Sequence, residues 1–390
     1  MSTQPAGSRA KVHGARKLAP LFLVIALLLP ACARQPQPAR IEEITFQSGS
    51  FTLVGDLRLP EGTGPFPVVL FVHGDAPTAN RTMFGMYLPI MERMLKADYA
   101  VLSWDNPGAG GSTGMTDRLQ LTQQQAQIVM GAIEAMKAHP DVDSGRIGLW
   151  GVSMAGWVMP RVLMASDDIA FMICQSCGSM SGRDEFVYLT VAQSYCGGVP
   201  DEAAGQLENL LAELDEARTF DTYEGYLRYR EVLDELAALG SVTVPEPVAS
   251  EAAWLANNPA LEFGWSPMEV IAQVRIPVLA IWGERDTQLD PIRAADAYRH
   301  ALVQAGNPNH RVVVLPGADH LLAPSETGCM SERSQTLERV SGEQGFPVED
   351  LNALSALDPQ DPLRFRLLST WPFAPEYLDL IEEWLRALLQ

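Results

Sequence analysis

The feature that most constrains this chain is a series of short, continuous apolar runs. They read Pro67-Val-Val-Leu-Phe-Val72, Tyr99 to Trp104, Arg146 to Trp150, Ala170 to Cys174, Pro277 to Trp282 and Arg311 to Leu315. A strand that is apolar at every position is buried on both faces, which is the habit of a parallel sheet. Between the runs lie helical patterns, Tyr87 to Ala97 and Thr122 to His139, the second with Ile128, Ala132, Ile133 and Met136 on one face. Strands that alternate with helices imply crossover units, and so an α/β class with a mostly parallel central sheet flanked by helices. Ile44 to Leu59 instead alternates apolar and polar residues through a glycine, which predicts an antiparallel hairpin.

The alternation fails between about Arg183 and Ala272. That stretch is helical and irregular, with Glu202 to Ala217, a tyrosine-rich part (Tyr223, Tyr226, Tyr229) and Glu251 to Phe263 containing Trp254. We read it as a helical cap inserted between two core strands, with its aromatics packing it onto the core and its body shaping the substrate pockets. The expected organisation is residues 1–31 signal peptide, 32–40 tether, 41–182 first part of the core, 183–272 cap and 273–390 second part of the core. A chain of 390 residues has room for one large domain with such an insert.

The N-terminus has a character of its own. Arg9, Lys11, Arg16 and Lys17 form a basic stretch without acids, and an apolar run from Leu18 to Leu29 follows, broken by Pro20. Basic region, short apolar region and small residues at a cut site make a secretory signal, and the run is short of the roughly 20 residues a span needs. Leu29-Pro-Ala-Cys32 resembles the bacterial lipobox, in which Cys32 would carry the lipid and become the mature N-terminus. The plainer alternative is cleavage near Ala33. Either way the expected location is the bacterial cell envelope, lipid-anchored or periplasmic/secreted. Cys196 and Cys329 lie in loop-like stretches and could pair in an oxidising compartment. Cys174 and Cys177 form C-x-x-C without a second ligand pair, and read as buried cysteines at a strand end. A formal charge of −20 argues against nucleic acid, whose phosphates ask for clustered Lys and Arg.

The chemistry centres on Gly151-Val-Ser-Met-Ala-Gly156, placed after a buried strand and at the start of a helix. Such a turn pushes the Ser153 hydroxyl above the sheet, and requires small residues two before and two after it. Gly151 meets this; Ala155 stands where Gly is usual. An oxyanion needs two rigid N–H donors. Met154, after the nucleophile, supplies one. Phe71-Val-His-Gly-Asp75 supplies the other, Asp75 first and Gly74 second, with His73 read as structural. Of six histidines, only His320 lies in a loop directly after the last core strand, in Leu315-Pro-Gly-Ala-Asp-His320. In Trp282-Gly-Glu-Arg-Asp286 the carboxylate chosen to orient it is Asp286, with Glu284, Asp290 and Asp184 as lesser alternatives.

These motifs, with Asp105-Asn-Pro-Gly-Ala-Gly-Gly-Ser112, resemble the α/β-hydrolase superfamily over about residues 41–390. The continuation Gly156-Trp-Val-Met-Pro160 and the closing helix Tyr377 to Leu389 resemble a bacterial esterase-like branch, some members of which are labelled prolyl-oligopeptidase-like. No room exists before Ser153 for the propeller of true prolyl oligopeptidases. The resemblance implies a Ser153–His320–Asp286 triad that cleaves a carboxylic ester of a small acyl substrate through an acyl-enzyme, with no cofactor and no metal. Thioester, lactone and small-peptide or aminoacyl bonds pass through the same tetrahedral species. Two other classes compete. A binding protein on a hydrolase fold would not need three filled triad positions. A dinucleotide enzyme would need Gly where Thr113 stands in the glycine-rich turn.

Overall fold

The computed structural model describes residues 39–76, 79–117, 120–216, 222–238, 248–257, 265–343 and 371–390. The proposed signal, Cys32 and most of the tether lie outside the described residues.

Eight strands form one sheet: β1 (Arg40–Ser48), β2 (Phe51–Leu59), β3 (Phe66–Val72), β4 (Ala100–Trp104), β5 (Val142–Val152), β6 (Ile169–Gln175), β7 (Val278–Gly283) and β8 (His310–Leu315). Their order is β1-β2-β4-β3-β5-β6-β7-β8. β1 and β2 form the expected antiparallel hairpin, and β2 runs antiparallel to β4; every other pairing is parallel. β3, β4 and β7 are buried at every residue, as their unbroken apolar sequences require.

Helices cover both faces. On one, α2 (Leu121–Lys137), α3 (Ala155–Ala165) and α9 (Pro291–Gln304) pack on a core that contains Trp104, Trp282 and Tyr298. On the other, α1 (Leu88–Lys96) and α11 (Pro375–Leu388) pack on Phe71, Trp150 and Tyr87. α11 buries Tyr377, Leu380, Ile381 and Leu385, a helical stripe facing the sheet. Each fully buried large apolar side chain contributes roughly 1.5–3 kcal/mol.

Between β6 and β7 the described elements are helices: α4 (Gly182–Cys196), α5 (Asp201–Glu216), α6 (Tyr223–Ala238), α7 (Glu251–Asn257) and the short α8 (Met268–Ile271). α10 (Met330–Glu343) follows β8. Tyr223, Tyr226 and Trp254 pack on one another, with ring centroids 5.8–6.2 Å apart, and join α6 to α7. α8 puts Ile271 into the same core as β7. Cys196, the last residue of α4, is bonded to Cys329 at a Cα separation of 5.5 Å. Cys174 and Cys177 are both fully buried, at and just after the end of β6.

Candidate active site

The end of β5 turns into α3 within a few residues, and Ser153 sits at the corner with φ +56°. A non-glycine residue held there costs on the order of 1–3 kcal/mol and persists because its surroundings fix it. The Ser153 N–H donates to Gln175 O at 3.1 Å, and the Ser153 carbonyl accepts from Gly156 and Gly178, each at 3.0 Å. Strand and helix nearly touch. A Cβ added at Gly151 would lie 2.5 Å from the Ala155 Cβ. The elbow therefore accepts one methyl across this contact but not two, which explains why Ala155 is admissible with Gly151 opposite.

The loop after β3 approaches the same corner. A Cβ at Gly74 would come within 3.2 Å of Val152 O and 3.4 Å of Ser153 Cβ. Asp75 follows and is exposed on the cleft. Met154 leads into α3 and is buried. His73 is buried: its Nε2 lies 2.8 Å from Trp104 O and so carries the proton, leaving Nδ1 to accept from Tyr87 Oη at 3.3 Å. Burial lowers its pKa to about 4. It is a neutral brace for the loop.

The Asp105 to Ser112 segment is the tight turn after β4, and it ties this loop down from below. The Asp105 carboxylate accepts from the Arg81 N–H and guanidinium, both at 2.8 Å, and from Gly111 N–H at 3.0 Å. The Asn106 amide donates to Ala76 O at 2.8 Å, and the Asn106 N–H donates to Ala79 O at 2.9 Å. The glycine-rich turn is thus a clamp on the residues that follow Asp75.

Asp286 and His320 come from the loops after β7 and β8. His320 Nδ1 lies 2.7 Å from Asp286 Oδ2, with both side chains almost wholly buried. The other Asp286 oxygen accepts the N–H groups of Gln288 (2.8 Å) and Leu289 (3.0 Å), so the carboxylate cannot turn. The alternative acids are occupied elsewhere. Glu284 accepts from Gly317 N–H, Asp290 caps α9 and Asp184 accepts from Ser181. Asp319, beside His320, accepts from Leu321 and Ala323 N–H and from Arg333 Nε, which fixes the histidine loop.

Ser153, Gly74, Asp75 and His320 line one cleft of about 330 Å³. Its apolar wall is made by Met83, Met86, Ile90, Leu321 and Phe373, with Gln175, Gln288 and Arg333 as polar lining. Among the described residues, the cleft lining comes from the core and from residues after His320. Residues after His320, to which the sequence assigned no role, supply Leu321, Arg333 and Phe373. Among the described residues, no group of His, Cys, Asp and Glu could hold a metal ion.

Sequence reasoning missed how α4 serves this site. Tyr188 Oη donates to Asp286 O at 2.7 Å, and the Gln193 amide donates to Thr287 Oγ1 at 3.0 Å. Glu185 accepts the N–H groups of Ser179 (3.0 Å) and Met180 (3.2 Å), while its other oxygen is buried without a partner among the described residues. Burial raises the Glu185 pKa to about 7, and the charges of Asp286 and Asp184 add to the effect. Gln175 was missed too, although a glutamine that ends a buried apolar strand at its C-terminal edge is a sequence signal for a site residue.

Comparison with known proteins agrees with the architecture. A chain segment is 30% identical over 100 residues to an uncharacterised 31.7 kDa protein of the traX-finO intergenic region of Escherichia coli, covering 25% of this chain and 33% of that one. It is 30% identical over 133 residues to esterase FrsA of Enterobacter sp. (strain 638), covering 33% of this chain and 30% of that one. The match thus spans about a third of each curated relative. Among solved structures, a Pyrococcus furiosus esterase, Pf2001, aligns with TM-score 0.44 and 17% identity over 71% of this chain and 81% of that one. A 2,6-dihydroxy-pseudo-oxynicotine hydrolase aligns with TM-score 0.42 and 16% identity over 73% and 62%. The model of the alpha/beta hydrolase family matches residues 69–327, about two thirds of the chain and the span that carries Ser153, Asp286 and His320, and the chain belongs to that family.

Proposed function

We propose that the protein is a serine hydrolase that cleaves a carboxylic ester through Ser153, His320 and Asp286. The observation that carries this reading is the convergence, in one cleft, of a serine on a left-handed turn and a buried His320–Asp286 pair. The pair fixes the tautomer: Nδ1 keeps its proton and donates it as a hydrogen bond to Asp286, so Nε2 is the basic nitrogen.

In the first half-reaction His320 accepts the Ser153 proton as Oγ attacks the carbonyl carbon. The N–H groups of Met154 and Asp75 hold the oxyanion, with Gly74 the second choice for the latter. The tetrahedral species collapses, the C–O bond to the alcohol breaks, and His320 returns the proton to the leaving oxygen. Water repeats the steps on the acyl-enzyme and frees the acid. A cleft of about 330 Å³ with a mostly apolar wall suits a small acyl substrate. The esterase among the partial relatives supports the ester reading over thioester, lactone or peptide bonds.

Turnover of 4-nitrophenyl esters of graded chain length tests the assignment. Ser153→Ala should lose about 10⁴-fold or more in kcat. Retention of wild-type turnover by the variant would remove Ser153 from the mechanism.

We further propose that the chain is exported to the bacterial cell envelope and held there by a lipid on Cys32. The N-terminal pattern supports this, and a disulfide between Cys196 and Cys329 suits an oxidising compartment. Cys32→Ser should move the protein from membrane to soluble fractions; an unchanged distribution would sink the anchor.

A further inference from the structure

One side chain on the floor of the cleft departs from its apolar wall. Gln175 ends β6, is 2% exposed, and its carbonyl accepts the Ser153 N–H, so it adjoins the nucleophile. A chain of groups orients its carboxamide. The Trp150 indole N–H can only donate, and it donates to Tyr377 Oη at 3.3 Å. The Tyr377 hydroxyl has one proton, and that proton goes to Gln175 Oε1. Tyr377 is fully buried and burial raises its pKa, so the hydroxyl stays a donor. Were the amide reversed, Tyr377 would accept twice, and its own proton would have no acceptor in a site that water cannot reach.

With its oxygen engaged, Gln175 presents Nε2 to the cleft. This nitrogen has no hydrogen-bond partner among the described residues, and it is not sealed from the cleft as the buried unpaired atoms are. Arg333, the cationic lining residue, is engaged already. Its Nε lies 3.0 Å from Asp319 Oδ2, and its terminal nitrogens lie 3.1 and 3.2 Å from the Gln288 carboxamide oxygen when that amide is set to accept. The cleft thus offers a neutral donor rather than a free positive charge.

We propose that Gln175 is a specificity-determining residue, and that its amide nitrogen donates to a neutral acceptor oxygen, keto or ether, on the group that fills the cleft. The inference rests on the serine hydrolase reading and adds a substrate class: oxygen-bearing esters over plain hydrocarbon ones. A site built to hydrogen-bond a polar group discriminates against the analogue that lacks it, because the site's own donor is then left unpaired.

The test uses matched esters that differ only by the acceptor. One pair is 4-nitrophenyl hexanoate and its 5-oxo analogue; a second places the same exchange in the alcohol portion. Rates are normalised to hydroxide-catalysed hydrolysis. The wild type should favour the oxygenated member of at least one pair by about three- to tenfold in kcat/KM. Gln175→Leu should bring that ratio to near one. Tyr377→Phe, which lets the amide turn over, should narrow it. Because the readout is a ratio within one variant, a general loss of activity cancels, and thermal melts show whether each variant is folded. No preference in either pair, or a preference kept by Gln175→Leu, overturns the proposal. An esterase labelled at Ser153 by a fluorophosphonate but blind to the oxygen overturns this inference alone. Absence of labelling together with undiminished turnover in Ser153→Ala overturns the hydrolase reading beneath it.

Discussion

A carboxyl at position 185 is held where water cannot reach it, and that choice has a measurable sign. In the folded chain Glu185 keeps its proton up to about pH 7, against 4.5 for the ordinary group. Between those values the folded state binds a proton that the unfolded chain lacks, so stability falls as pH rises. The stability is whole below about 4.5 and is lost as pH passes through 7. Glu185→Gln cannot ionise, so its melting temperature relative to wild type should climb between pH 5 and 8, by the equivalent of at most about 3 kcal/mol. A flat difference would show that Glu185 does not titrate there. At Asp286 the effect expected from the proposed triad is on rate: Asp286→Asn should cut kcat about 10⁴-fold with little loss of fold, since the role proposed for the carboxylate is to fix the His320 tautomer. Comparable turnover would remove Asp286 from the triad. The elbow gives a paired case. Gly151→Ala should destabilise by about 1–3 kcal/mol, because its methyl would meet Ala155. Adding Ala155→Gly should recover part of that in urea melts; an additive loss would locate the strain elsewhere.

At the scale of elements, the parts legible in the sequence share one property: burial leaves a pattern. The run Pro67 to Val72 became β3 because each residue meets a helix on one face or the other, and Ile44 to Leu59 became a hairpin at the sheet's edge. Ser153, Asp286 and His320 could be placed by counting strand ends, because this topology gathers its loops at one edge of the sheet. What could not be read depends on contacts between distant segments that carry no periodicity. Nothing in Tyr188 or Gln193 announces that α4 holds the loop of Asp286. Nor does the sequence show that Met83 and Phe373, nearly 300 residues apart, share a wall of the cleft.

Across the whole molecule, the bond between Cys196 and Cys329 spans 133 residues of sequence and joins the end of α4 to the start of α10. Closing so long a segment removes much freedom from the unfolded chain, and its loss in Cys196→Ser with Cys329→Ser should lower stability by about 4 kcal/mol in urea unfolding. An unchanged midpoint would mean that the crosslink contributes little. The same bond divides the proposed triad topologically. Asp286 and His320 both lie inside the covalent ring, and Ser153 lies outside it. A single backbone cut anywhere within the ring would therefore leave both pieces on one molecule, migrating together until a reductant is added. Clipped and intact chains would be indistinguishable by mass under oxidising conditions, save for the added water, and the residues Asp286 and His320 would keep their covalent tie to Ser153.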